Sequence, residues 1–207
     1  LSWLDTDKIQ IGSELIITDD DGNLIITGGL AENLVIPAEN TVSGEDISLE
    51  KVSEMDGIIL TINPEGKVVK VNQIKSPENS ANMLAYTTRG KNGDMTSLSV
   101  YVGELTIPAE DTQNNQEITL NGTSLENMYI ICFNDEGKVK WANTSEYLEL
   151  DELIYMGYIG NNFVMQYVPA NQTVTIPSDK TESGEEMVLE MNDNAIAVML
   201  IYNEEGK

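Results

Sequence analysis

The sequence predicts an all-β protein of three units of about 70 residues, each a small β-sandwich-like body. Three observations carry this. One short motif recurs three times in the same register. The apolar residues fall in short β-branched and aromatic runs with turn residues every 8 to 14 positions, and no stretch keeps helical spacing.

The motif begins with Leu34-Val-Ile-Pro-Ala-Glu39, Leu105-Thr-Ile-Pro-Ala-Glu110 and Val174-Thr-Ile-Pro-Ser-Asp179. Its prolines, Pro37, Pro108 and Pro177, lie 71 and 69 residues apart. From each proline the copies run on without a gap: Leu49, Leu120 and Leu189 are in phase, then Leu60, Ile131 and Leu200, then Asn63, Asn134 and Asn203. The Ile-Pro pair suits a strand end or sheet edge, because proline has no N–H for a ladder. The turns ending in Gly66-Lys67, Gly137-Lys138 and Gly206-Lys207 read as hairpin tips with glycine at the left-handed position.

The other half of each unit reads as a second hairpin whose tip varies. Leu15 to Thr18 turns through Asp19-Asp-Asp-Gly-Asn23 into Leu24 to Thr27; Met83 to Thr88 turns through Arg89-Gly-Lys-Asn-Gly-Asp94; Leu153 to Tyr158 turns near Gly160-Asn-Asn162. The unit boundaries follow as 1–73, 74–143 and 144–207, with Gln73 to Asn82 polar enough to read as a linker.

The third unit stops at its Asn203 turn, and the strand after the second unit's turn, Val139-Lys-Trp-Ala142, has its counterpart in Leu1-Ser-Trp-Leu4: Trp3 precedes Leu15 by the same twelve residues that separate Trp141 from Leu153. Two accounts meet the need to pair that edge. The chain is an excerpt of a tandem array, the favoured expectation, or residues 1–5 supply the last strand of the third unit and close a pseudo-threefold body. The opening Leu-Ser-Trp suggests a piece of something longer.

Composition narrows function. With 35 acidic and 11 basic residues the net charge is −24, which repels phosphate backbones and anionic membranes, so nucleic acid is not an expected partner. The longest apolar run, Ala195 to Tyr202, is far below the roughly 20 residues of a membrane helix, so no membrane insertion is expected. Having no histidine removes the usual neutral-pH base and every imidazole ligand. Cys132 sits in the apolar run Met128 to Phe133 and reads as a buried small hydrophobe. Acidic pairs such as Glu185-Glu186 are ordinary among so many carboxylates, and no enzyme activity is expected.

The candidate binding residues are few. Trp141, Tyr155 and Tyr158 belong to an aromatic concentration that would either fill the core or form a platform for sugar rings, with Tyr158 the one expected nearest solvent. Arg89 and Lys91 place two of the few cations on a glycine-rich tip. Asp19, Asp21 and Asn23 resemble the opening of a calcium loop, although Leu30 stands where such a loop carries its glutamate, so a plain hairpin turn is the stronger reading and no other cofactor is expected.

The Ile-Pro-Ala-Glu strand, polar turn and second strand resemble bacterial immunoglobulin-like surface modules over a few residues per unit, a likeness that supplies no functional residues. Together these features lead to the expectation of a non-enzymatic, exported or cell-surface spacer or adhesion segment of bacterial origin, meeting a protein or glycan partner. A carbohydrate-binding protein is the alternative.

Overall fold

The structure, a computed structural model, describes residues 7–11, 16–122, 126–144, 150–191 and 197–207. The segment 1–5 expected to complete the third unit lies outside the described residues.

The described chain is all-β. In order, β1 (Ile9–Gln10), β2 (Ile16–Thr18) and β3 (Leu24–Leu30) are followed by the small hairpin of β4 (Leu34–Ile36) and β5 (Ile47–Leu49), then by β6 (Asp56–Ile62) and β7 (Val68–Ile74). Strands β1 and β2 share one edge of β3, and the first sheet continues β3-β6-β7. The second sheet, β8-β9-β12-β13, uses β8 (Ala81–Arg89), β9 (Met95–Val102), β12 (Glu126–Phe133) and β13 (Val139–Thr144), with the hairpin of β10 (Leu105–Ile107) and β11 (Ile118–Leu120) inserted between β9 and β12. The third, β14-β15-β18, uses β14 (Leu150–Ile159), β15 (Asn162–Pro169) and β18 (Val198–Tyr202), with the hairpin of β16 (Thr173–Ile176) and β17 (Met187–Glu190) inserted likewise. Every named strand pair is antiparallel.

The motif prolines shape the small hairpins. Pro37, Pro108 and Pro177 hold φ near −60 and ψ near 150, and each opens a one-turn 3-10 helix, at Ala38–Asn40, Ala109–Asp111 and Ser178–Lys180. The threonine after each turn is buried, and its hydroxyl lies within hydrogen-bond reach of two carbonyls: Ala38 and Glu45 for Thr41, Ala109 and Gln116 for Thr112, Ser178 and Glu185 for Thr181. Gly44, Asn115 and Gly184 then take positive φ, which lets the loop double back.

Both faces of the first two sheets are covered. Ile26, Ile58, Leu60 and Ile62 point into a core roofed by Leu34, Ile36 and Leu49 of the small hairpin. Their neighbours Ile25 and Ile59 point the other way and join Leu84, Met95, Tyr101, Tyr129, Ile131 and Phe133 of the second sheet in one core. The pattern shifts along once more: Leu98, Ile130 and Cys132 turn away from that core and join Phe163, Met165, Tyr167, Val198 and Tyr202. One sheet's outward face is thus the wall of the next sheet's core. The close approach needs glycine at Gly57, where a Cβ would meet the amide of Asn82 and the side chain of Leu84.

The stretch Gln73 to Asn82, which its polarity marked as a linker, is packed. Asp56 is fully buried, and its carboxylate accepts from the backbone N–H groups of Val52 (2.8 Å), Ser53 (3.3 Å) and Ser76 (3.3 Å), the Ser53 hydroxyl (2.5 Å) and the Gln73 amide (2.8 Å). Burial alone would raise its pKa; these donors outweigh burial and hold it below the ordinary aspartate value. Asn82 Oδ1 accepts from the Tyr129 hydroxyl deep in the shared core. Polar residues tied down by one buried carboxylate behave as structure, not as tether.

Candidate functional site

The concave surface best furnished for a ligand lies between β8 and β14, where Tyr86, Thr87, Thr88, Leu153, Ile154, Tyr155 and Met156 line a groove of about 320 Å³. It is built by two matching irregularities. The ladder of β8 on β9 slips between Leu84 and Tyr86, and that of β14 on β15 slips between Leu153 and Tyr155. A bulge inserts a residue, here Ala85 and Ile154, and re-aims the side chain that follows. As a result Tyr86 and Tyr155 stand 44% and 47% exposed beside the groove. Tyr155 lies back along its own strand over Gly157, where a Cβ would collide with its hydroxyl. Thr87 is held by hydroxyl contacts to Thr27 (3.1 Å) and Ser97 (3.1 Å), which fixes the groove floor to the first and second sheets.

The residues expected from sequence fall in different places. Trp141 is buried, its ring stacked on Tyr202 at 5.8 Å and 19° and resting on Gly206. Tyr158, expected nearest solvent, is half-buried. Its hydroxyl is 2.6 Å from that of Thr96 and 3.9 Å from the Cys132 sulfur, and its ring meets Phe163 edge-on. Burial, aided by the adjacent Cys132, pushes its phenol well above the ordinary range, so it stays protonated. Only Tyr155 of these three aromatics is exposed. Tyr86, its partner across the groove, was missed, although it lies in the matching hairpin strand one repeat length, 69 residues, before Tyr155.

Arg89 reaches the first hairpin, with Nη1 3.2 Å from Asp19 Oδ2, while Lys91 is exposed at the tip. Asp19 Oδ1 accepts from the N–H groups of Asp21 (3.0 Å) and Asn23 (2.8 Å), and Oδ2 accepts from Asn23 Nδ2 (2.8 Å). Burial raises the Asp19 pKa, but these donors and Arg89 outweigh it and lower the value overall. Asn23 therefore faces Asp19 as a donor, an arrangement that shapes a turn and does not offer converging oxygens to a cation. Among the described residues no group of three or more acidic or cysteine side chains is placed to hold a metal ion. Cys132 is buried, and burial raises its pKa, so its thiol is held unreactive. Among the described residues no helix is long and apolar enough to cross a membrane.

What the groove can do chemically is bind. It offers two exposed phenol rings, two threonine hydroxyls and apolar flanks, a combination suited to stacking on a pyranose ring or clasping an extended peptide. Comparison of the chain with protein-family models and with curated protein sequences finds no match.

Proposed function

We propose that the protein is a non-enzymatic, exported cell-surface segment built from three immunoglobulin-like units of one plan, acting as a stiff spacer or adhesion segment. The observation that carries this reading is the sharing of cores: where one sheet's back is the next one's wall, neighbouring units resist bending in a way that beads on a tether do not. The net charge of −24 keeps such a rod apart from its neighbours and from anionic surfaces. Brief protease treatment of intact source cells tests it. The expected result is loss of the protein from the cell surface; full protection until lysis would defeat the reading.

A second reading is favoured by one observation, the pair Tyr86 and Tyr155 across the groove: binding of a glycan. A glycan array probed with the wild type and with Tyr155→Ala is the test. A hit that weakens about tenfold or more in the variant supports the reading, given that one aromatic stack contributes about 1–3 kcal/mol. A blank array removes it.

A further inference from the structure

The sheets meet at two seams, where matching residues of the repeat stand in matching places but fill them differently. Between the second and third sheets the Trp141 ring rests on Gly206 and stacks on Tyr202, while Tyr158 meets Phe163 and sets its hydroxyl against Thr96 and Cys132. The strand registers carry these positions across to the seam between the first and second sheets. Lys70 pairs with Thr61 as Trp141 pairs with Cys132, and Arg89 pairs with Met95 as Tyr158 pairs with Phe163. Two cations thus stand where the other seam has two rings.

Without those rings the first seam keeps a cavity of about 170 Å³. Ile25, Val69 and Met95 give it apolar lining, and Lys70, Arg89, Asp19 and Asp135 give it charge. Two of the 11 basic residues in a chain with 35 acidic ones therefore meet at one small cavity. The Asp19 carboxylate is already engaged, by the N–H groups of its own turn and by Arg89 Nη1 at 3.2 Å. A guanidinium and an ammonium each carry several N–H donors. Lys70 gives one to the Glu136 carbonyl, so among the described residues both cations keep donors with no protein acceptor. Burial holds the Lys70 pKa below the ordinary lysine value, an effect that nearby Glu136 and Asp135 oppose without cancelling.

We propose that this cavity binds the zwitterion of a small free α-amino acid with an apolar side chain, its carboxylate taking the open donors of Lys70 and Arg89 and its ammonium facing Asp135. Charge selects this class. A plain anion is repelled by a chain of net charge −24, and a plain cation leaves Lys70 and Arg89 unanswered; a zwitterion is neutral and answers both signs with charge-assisted hydrogen bonds. Size agrees, since the cavity is well below the roughly 300 Å³ at which pockets for drug-sized ligands begin. Ile25, Val69 and Met95 offer the side chain an apolar surface. The site stands independently of the spacer reading and of the Tyr86–Tyr155 groove.

The test is a nuclear magnetic resonance titration of the 15N-labelled 207-residue chain with L-valine. The comparison probes are isovalerate, which lacks the amino group, and isobutylamine, which lacks the carboxylate. L-valine is expected to shift the amide signals of Lys70, Arg89, Gly93 and Asp135 saturably, with a Kd of about 1 mM or tighter. Each comparison probe should bind at least roughly tenfold more weakly, and so should L-valine to Arg89→Ala or Asp135→Ala, both changes at side chains that reach solvent. Lys70→Trp places in the first seam the ring that the second carries at Trp141, and it should abolish the shifts while the spectrum stays that of a folded protein. No saturable shift with L-valine, shifts confined to other parts of the chain, isovalerate binding as tightly as L-valine, or undiminished binding in the variants overturns the proposal.

Discussion

The two seams between sheets share one asparagine-to-carbonyl hydrogen bond and differ in the side-chain chemistry around it. In both, an asparagine of the outer strand donates to the glycine carbonyl of the next hairpin turn. Around that bond the first seam is polar: Thr27 meets Thr87, Asp19 meets Arg89, and the Lys70 ammonium donates to the Glu136 carbonyl. The second is aromatic, with Trp141, Tyr158, Phe163 and Tyr202 in mutual contact and Cys132 among them. An asparagine side chain-to-backbone hydrogen bond in fixed register sets the geometry of the stack, and the side chains around it set how strongly each step holds. Beside the apolar core that joins the first two sheets, the first seam adds a part-buried ion pair and hydroxyls of modest strength, and the second adds stacked, buried rings.

The largest expected effect belongs to the second seam. Trp141→Ala removes a buried ring and should cost about 3–4 kcal/mol in a denaturant titration; a loss below about 1 kcal/mol would mean that the rings contribute no more than the hydroxyls of the first seam. Next, Gly206→Ala sets a Cβ against the Trp141 ring, while Gly137→Ala meets only the end of Asn72, both at positive φ. The first should cost about 3 kcal/mol and the second about 1–2, because a flexible amide yields where a stacked ring does not.

Asp56, which ties the first sheet to the start of the second, gives a pH signature. Its folded pKa is lowered, so its contribution is fully present above the ordinary aspartate value of about 3.9 and is lost as pH falls through the lowered folded value. Asp56→Asn should be less stable than wild type by about 2 kcal/mol at neutral pH, with melting temperatures converging in acid. A gap that does not narrow would remove the carboxylate from this role. Comparing variant with wild type also cancels the relief of charge repulsion that acid brings to the whole chain.

Smaller differences follow. Asn143→Ala, at a buried position, should cost about 1–2 kcal/mol, and Asn72→Ala, half-buried, less than about 1. Arg89→Ala should cost under about 0.5 kcal/mol and nothing measurable in high salt, since its pair with Asp19 is partly solvated.

Much of this was legible in the chain. The strand ends at the Ile-Pro pairs and the Asn-to-Gly turns lie where the recurring motif placed them, because both are local devices of a few residues. A further signal was present and passed over: the runs Ile58-Ile59-Leu60 and Ile130-Ile131-Cys132 are apolar on both faces, the mark of a strand covered on both sides. The packing of Gln73 to Asn82 was not legible, since it depends on where Asp56 sits in space. The Tyr86–Tyr155 groove was not legible either. It arises from two bulges whose effect is to turn side chains, and a bulge leaves no composition of its own.

Cys132 gives the stack a built-in clock. The chain's single thiol lies in the second seam against Tyr158, so a thiol reagent reaches it only when that seam parts. Its labelling rate therefore reads how often the third sheet lifts from the second, a local event distinct from global unfolding. A variant that loosens only the first seam would leave that rate unchanged.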